Sequence, residues 1–135
     1  MRIAIDLYEV LMELLLYFAA LLIFATGIVH SVLGERYILI RLFRCDNLPM
    51  LFGSTEFTTR TLRFAWHLTT IAWWGLATIL VLMANPPLPV TTLGGVIGSI
   101  FFASFLLAIV GSRGRHLSWI VFLVTAMIAL YVAVI

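Results

Sequence analysis

Residues 60–75 read RTLRFAWHLTTIAWWG, and this stretch decides the fold that the sequence predicts. It begins with arginines and becomes apolar within about one helical turn, as expected where a helix enters a membrane. Because a helix advances about 100° per residue, one face of it carries a stripe of polar and aromatic side chains. The stripe consists of His67, Thr70, Trp74 and Thr78, and Arg63 and Arg60 extend it outward. Such a stripe on an otherwise lipid-soluble helix indicates a binding site on that face.

The composition of the whole chain is typical of an integral membrane protein. Hydrophobic residues make up 64% of the 135 residues, charged residues make up 10%, and the mean hydropathy is +1.18. Soluble domains are usually about half apolar and about a quarter charged. Four or five helices of about 20 residues would use nearly all of the chain. The composition also weighs against nucleic-acid binding, because little sequence remains for a continuous basic surface.

Apolar runs and turn signals predict a single all-α domain, an antiparallel four-helix transmembrane bundle. The predicted helices cover about residues 7–33, 55–84, 90–110 and 116–135. The 34–54 connection is expected to carry a short amphipathic helix in the headgroup region, with Arg36, Arg41 and Arg44 among large apolar residues. Gly94 and Gly98 stand at the four-residue spacing typical of close helix contacts, which could also form a homo-oligomer.

The arginines predict the orientation of this bundle in the membrane. Four crossings place the 34–62 loop and the 111–115 turn on one side and both termini on the other. Seven of the eight arginines lie on or beside those two connections, at positions 36, 41, 44, 60, 63, 113 and 115. The positive-inside rule then makes the 34–62 loop cytoplasmic and both termini periplasmic, in a bacterial inner membrane.

The same topology brings the three histidines to the cytoplasmic face of the bundle. His30 lies near the end of the first helix, His67 one turn inside the second, and His116 at the start of the fourth. Imidazole is a good ligand for zinc, copper or iron, so these histidines with Glu35 form a candidate metal site. However, no two of them show a local ligand spacing, so their convergence would depend on helix packing.

A b-type haem or a quinone is a second possibility for the same residues. His30 and His67 stand at matched depths and could ligate haem iron axially. Arg63 could contact a haem propionate, and Thr70 and Trp74 would complete the wall of such a cofactor site. The sequence therefore leaves open a transition metal or haem as the cofactor.

Two further interpretations need no cofactor. Arginines beneath an aromatic rim could bind an anionic lipid headgroup or a phosphate-bearing ligand. Interfacial His, Trp and Arg are also ordinary membrane anchors, as in a small subunit that docks on a larger membrane complex. The sequence favours an accessory or ligand-binding membrane subunit with the lipid bilayer as its first partner. Metal or haem binding and anionic-lipid binding remain alternatives, and enzymatic activity is left open.

Overall fold

Four long helices and their connections make up the computed structural model, which describes residues 2–135 and the side chains of residues 5–135. We label these helices α1 (Arg2–Leu33), α2 (Glu56–Met83), α3 (Val90–Ser112) and α4 (Ser118–Val134). Three of them are long and apolar enough to cross a membrane: α1 with its continuation, α2 and α3. The fourth, α4, is apolar but shorter.

The first helix is longer than the sequence predicts. Helical structure begins at Arg2 and continues beyond α1 as a π-helical segment, Gly34–Leu39, and a last α-helical turn, Ile40–Leu42. Arg36 and Arg41 of the predicted separate amphipathic helix are therefore continuous with α1, whereas Arg44 lies just beyond its continuation. No proline interrupts the chain between residues 33 and 42, so the backbone can keep its helical hydrogen bonds. Single π-helical turns within helices frequently occur at functional sites.

The second and third helices are joined by a short proline turn, as predicted. α2 ends at Met83, and Pro89 provides the extended residue before α3 begins at Val90. Pro89 lacks a backbone N–H, so it fits a position where a helix has not yet begun to use its donors. The connection from α3 to α4 turns at Arg113 and Gly114, which both have positive φ angles.

Helix packing follows the order of the chain. In the middle of α1, Tyr17 accepts a hydrogen bond from Asn85 just beyond the end of α2. At the other end of the pair, Glu35 contacts Arg63. Within residues 2–135, backbone contacts between long helices join only α1 to α2, α2 to α3, and α3 to α4. In the part of the chain that the structure describes, α1 and α4 each make backbone contacts with one other long helix.

The glycines of α3 lie against α4. A Cβ atom added at Gly94 would lie 2.9 Å from the carbonyl oxygen of Ala129, and one at Gly98 would lie 2.6 Å from Cγ of Leu130. The close approach that the small-residue spacing predicts is thus made within the chain. The face predicted for a homo-oligomer is the face that α4 covers.

Few large side chains are buried between the helices. Most of the buried apolar residues are alanines, and the larger exceptions are Leu39 and Phe64. Many large apolar side chains are exposed instead, including Leu7 at 69% and Val110 at 73%. An apolar surface of this extent is unfavourable in water but is well accommodated by lipid hydrocarbon. This distribution agrees with helices that could cross a membrane.

Candidate functional site

His67 of α2 lies between two polar side chains of the first helix and its continuation. Its Nδ1 atom is 2.6 Å from the Ser31 hydroxyl oxygen, and its Nε2 atom is 3.4 Å from Oε2 of Glu35. The neutral tautomer with its proton on Nε2 suits both partners, because Nδ1 then accepts from Ser31 while Nε2–H faces the carboxylate. The imidazole is thus within hydrogen-bond distance of Ser31 at Nδ1, and its Nε2 atom lies within ion-pair distance of Glu35.

Arg63, one helical turn before His67, binds the same carboxylate. Its Nε donates to Oε2 of Glu35 at 3.2 Å, and its second terminal nitrogen lies 3.0 Å from Oε1. This two-point contact is the geometry that a guanidinium fork makes with a carboxylate. We call Ser31, Glu35, Arg63 and His67 the His67 cluster. It is only partly shielded, because the side chains of Glu35 and Arg63 remain 30% and 46% exposed.

A second ion-pair group lies beside this cluster at the start of α2. Glu56 accepts from Arg60 at 3.0 Å and from Arg113 at 2.8 Å. Arg60 also donates to the backbone carbonyl of Gly111 at 3.4 Å. These contacts join the beginning of α2 to the end of α3 and fix the position of the Arg60 guanidinium.

A cleft of about 480 Å³ lies between these two groups. One wall belongs to α2 and is largely polar, with Glu56, Thr59, Arg60, Arg63, Phe64 and His67. The opposite wall belongs to α3 and has no charge, with Leu107, Val110 and Gly111. Two arginines line the polar wall, and each is paired with a glutamate, Arg60 with Glu56 and Arg63 with Glu35.

His30 lies on the other side of the α1–α2 pair from the His67 cluster. Its ring stacks on Trp66 with 4.4 Å between centroids and 3° between planes, and it lies 4.8 Å from the Trp73 ring. Its Nε2 atom is 2.9 Å from the Thr69 hydroxyl. Since Trp66, Thr69 and Trp73 share the α2 face away from His67, helix geometry separates the two histidines.

His116 occupies a third position, between α2 and the start of α4. Its ring is 5.3 Å from the Phe64 ring, and its Nδ1 atom is 2.8 Å from the Ser118 hydroxyl. Among residues 2–135 as described, no group of three or more His, Cys, Asp or Glu side chains is arranged to hold a metal ion. Of the predicted metal set, the structure brings together His67 and Glu35 but not His30 or His116.

The predicted polar stripe of α2 divides into two parts with different contacts. Arg60, Arg63 and His67 line the cleft, whereas Thr70 and Trp74 bind backbone carbonyls of α1. Thr70 donates to the carbonyl of Gly27 at 3.5 Å. Trp74 donates to the carbonyl of Phe24 at 3.2 Å, and the two aromatic rings stack at 5.2 Å.

The close contact between α1 and α2 depends on a glycine of α1. A Cβ atom added at Gly27 would lie 2.6 Å from Nε1 of Trp74. Thr70 and Trp74 therefore hold the two helices together beside the site, and they do not line the cleft next to His67.

Ser31 is the site residue that sequence reasoning missed. It stands next to His30, which drew attention as a titratable residue, and a lone serine in an apolar helix is a weak signal. Its position four residues before Glu35, on the same helix face, was the pattern that could have revealed it. The aliphatic wall from α3 had no comparable signal in the sequence. Searches of protein-family models, curated proteins and solved structures found no match to the chain.

Proposed function

We propose that this protein is a ligand-binding subunit of the membrane, and that the cleft beside His67 binds the anionic group of its ligand. The observation that carries this proposal is that Arg60 and Arg63 both line one wall of a cleft whose opposite wall is apolar. Guanidinium groups bind phosphate and carboxylate through parallel hydrogen bonds. A ligand with an acidic head and an apolar remainder fits both walls.

The existing ion pairs leave donors for such a ligand. Arg63 uses Nε and one terminal nitrogen on Glu35, and Arg60 uses Nε on Glu56 and one terminal nitrogen on Gly111. A guanidinium has five N–H groups, so each arginine retains N–H groups that these contacts do not use. Glu35 and Glu56 hold the two guanidiniums in place before a ligand arrives, which lowers the entropy cost of binding.

We also propose the membrane arrangement in which this site works. The chain would form an antiparallel four-helix bundle in a bacterial inner membrane, with the 34–62 loop in the cytoplasm and both termini in the periplasm. The three helices of suitable length and the arginine bias of the connections support this arrangement. The cleft would then open at the cytoplasmic headgroup layer, where anionic lipids attract basic side chains.

The test uses detergent-purified protein and two probes, phosphatidylglycerol and inorganic phosphate. Native mass spectrometry would measure lipid retention, and thermal unfolding would measure stabilisation by phosphate. Arg63→Gln should reduce both signals about tenfold in affinity, since a charge-assisted hydrogen-bond pair is lost. Because this change leaves Glu35 without its cation, a Glu35→Gln/Arg63→Gln double variant repeats the measurement without that charge.

Arg44→Gln is the matched control, because Arg44 lies outside the cleft lining and beyond the helical extension of α1. Its probe binding should equal that of the unchanged protein. If Arg44→Gln and Arg63→Gln weakened probe binding equally, binding would depend only on the overall positive charge of the protein, and the proposed site would be wrong. An absorption spectrum and metal analysis of the same sample test the metal and haem alternatives, which would appear as a Soret band or bound metal lost in His67→Ala.

A further inference from the structure

A second cavity lies on the same side of the α1–α2 pair as the His67 cluster. It measures about 290 Å³ and is lined by Tyr17, Leu21 and Phe24 of α1 and by Thr78 and Val81 of α2, among others. On α1, Ser31 follows Phe24 by seven residues, close to two helical turns, so both lie on one face. On α2, Thr78 follows His67 by eleven residues, close to three turns, so these two residues also lie on one face.

The spacing of the two cavities matches the depth of one lipid leaflet. Eleven residues of α-helix rise about 16 Å, at about 1.5 Å per residue. The hydrocarbon of a bilayer is about 30 Å thick, so one leaflet contributes about 15 Å. An acyl chain whose headgroup lies beside His67 would therefore end near Thr78.

The surface between the cavities also suits an acyl chain. Trp74 lies between His67 and Thr78 on this face of α2 and is 38% exposed, with its ring stacked on Phe24. The second cavity has no charged residue in its lining. Beyond it, Asn85 donates to the Tyr17 hydroxyl at 2.8 Å, and this polar contact lies at the far end of the path.

Resting on the proposed function of the cleft, we infer that its ligand is a long-chain anionic phospholipid. The headgroup phosphate binds Arg60 and Arg63 in the cleft, and one acyl chain follows α2 past Trp74 to the cavity at Thr78. Charge complementarity fixes the direction of the lipid, because the arginines lie at one end of the path and the other end is uncharged. The groove is thus a lipid site with a defined headgroup end and a defined chain end.

Chain length provides the test. Detergent-purified protein is titrated with phosphatidylglycerols carrying sixteen-carbon or six-carbon chains, with sixteen-carbon phosphatidylcholine and with inorganic phosphate, and binding is measured by native mass spectrometry or thermal unfolding. We expect the long-chain phosphatidylglycerol to bind at least about tenfold more tightly than the six-carbon form, since each buried methylene group strengthens binding. Long-chain phosphatidylcholine should also bind more weakly, because its head carries no net charge.

Thr78→Phe fills the second cavity and should reduce the chain-length ratio to below about threefold. Thr125→Phe on α4 is the matched control, since Thr125 and Thr78 each donate to the carbonyl four residues earlier at 2.9 Å. Gel filtration and circular dichroism check folding, and Val81→Phe replaces Thr78→Phe if the latter does not fold.

The outcomes separate this inference from the proposed function. If Arg63→Gln weakens every phosphate-bearing probe but chain length has no effect, the cleft binds anions and the acyl path is wrong. Equal binding of phosphatidylcholine and phosphatidylglycerol, with no effect of Arg63→Gln, would overturn both. Tight binding of inorganic phosphate at the level of the long-chain lipid would identify a free phosphate ligand and also overturn the lipid assignment.

Discussion

The Ser31 hydroxyl lies 2.6 Å from Nδ1 of His67 and thereby joins α1 to α2 within the candidate site. With Glu35 3.4 Å from the other ring nitrogen, this contact restricts the rotation of the imidazole. A histidine held in this way presents a constant edge to the cleft, which a freely rotating side chain cannot do.

We expect Ser31→Ala to lower the free energy of unfolding by about 1–2 kcal/mol, because the half-buried Nδ1 atom loses its partner. Thermal unfolding in detergent measures this change. Ser99→Ala is the control, since the exposed Ser99 hydroxyl donates only to the Gly95 carbonyl of its own helix. Equal effects of the two substitutions would contradict a structural role for the Ser31–His67 contact.

The Glu35–Arg63 pair should contribute modestly to stability. Both side chains are partly exposed, so a double-mutant cycle with Glu35→Gln and Arg63→Gln should give a coupling energy of about 0.5–1 kcal/mol. The coupling should shrink at high salt because exposed charges are screened. A coupling energy of zero at low salt would show that the two-point contact does not persist in solution.

Gly34→Ala should weaken the packing of α1 on α2. A Cβ atom at residue 34 would overlap the indole of Trp66, which lies one residue before His67. We expect a loss of about 1–3 kcal/mol, typical of overpacking at a tight contact. Gly95→Ala is the matched control, because its new Cβ would meet only the Ala133 Cβ at an ordinary 3.8 Å.

The three histidines should differ in their effect on ligand binding. His67→Phe should reduce phosphatidylglycerol binding about tenfold, whereas His30→Phe and His116→Phe should change it less than about twofold. The reason is position, since only His67 lines the cleft. Equal losses in all three variants would instead favour one shared site with three histidine ligands.

Cys45, the single cysteine of the chain, reports the orientation of the long loop. It is exposed, so a membrane-impermeant maleimide should label it in inverted vesicles and leave it unlabelled in intact cells. An Ile135→Cys substitution in a Cys45→Ser background should give the reverse pattern. Labelling of Cys45 from the outside would reverse the proposed topology and move the cleft to the periplasmic face.

The sequence was sufficient to predict the four helices, and it also singled out several residues of the candidate site. Apolar runs predicted α2 and α3 closely, because their ends coincide with a proline turn and a glycine turn. The end of α1 was harder to predict. Gly34 suggested that the helix stops there, and the π-helical continuation does not follow the hydrophobic periodicity of an α-helix. His67, Arg63 and Glu35 were candidates because titratable residues beside long apolar runs stand out in the sequence.

The sequence could not predict how each helix is oriented about its own axis, and this orientation decides which side chains meet. Position along a helix can be read from residue number, so the sequence could predict one common level for the three histidines. Which side of α2 each histidine reaches depends on how α1 and the turn before α4 lie against it. His30 packs against Trp66 and Trp73 on one side of α2, and His116 packs against Phe64 on another.

Packing in chain order has a consequence for how the site is made during synthesis. Among the described residues, each helix after α1 packs on the helix translated just before it, so no pair of helices has to wait for a later helix. All four residues of the His67 cluster are present once residue 67 has been translated, and the aliphatic wall follows with α3. A ribosome-bound chain that ends after Ser112 would already contain both walls of the cleft, before α4 exists.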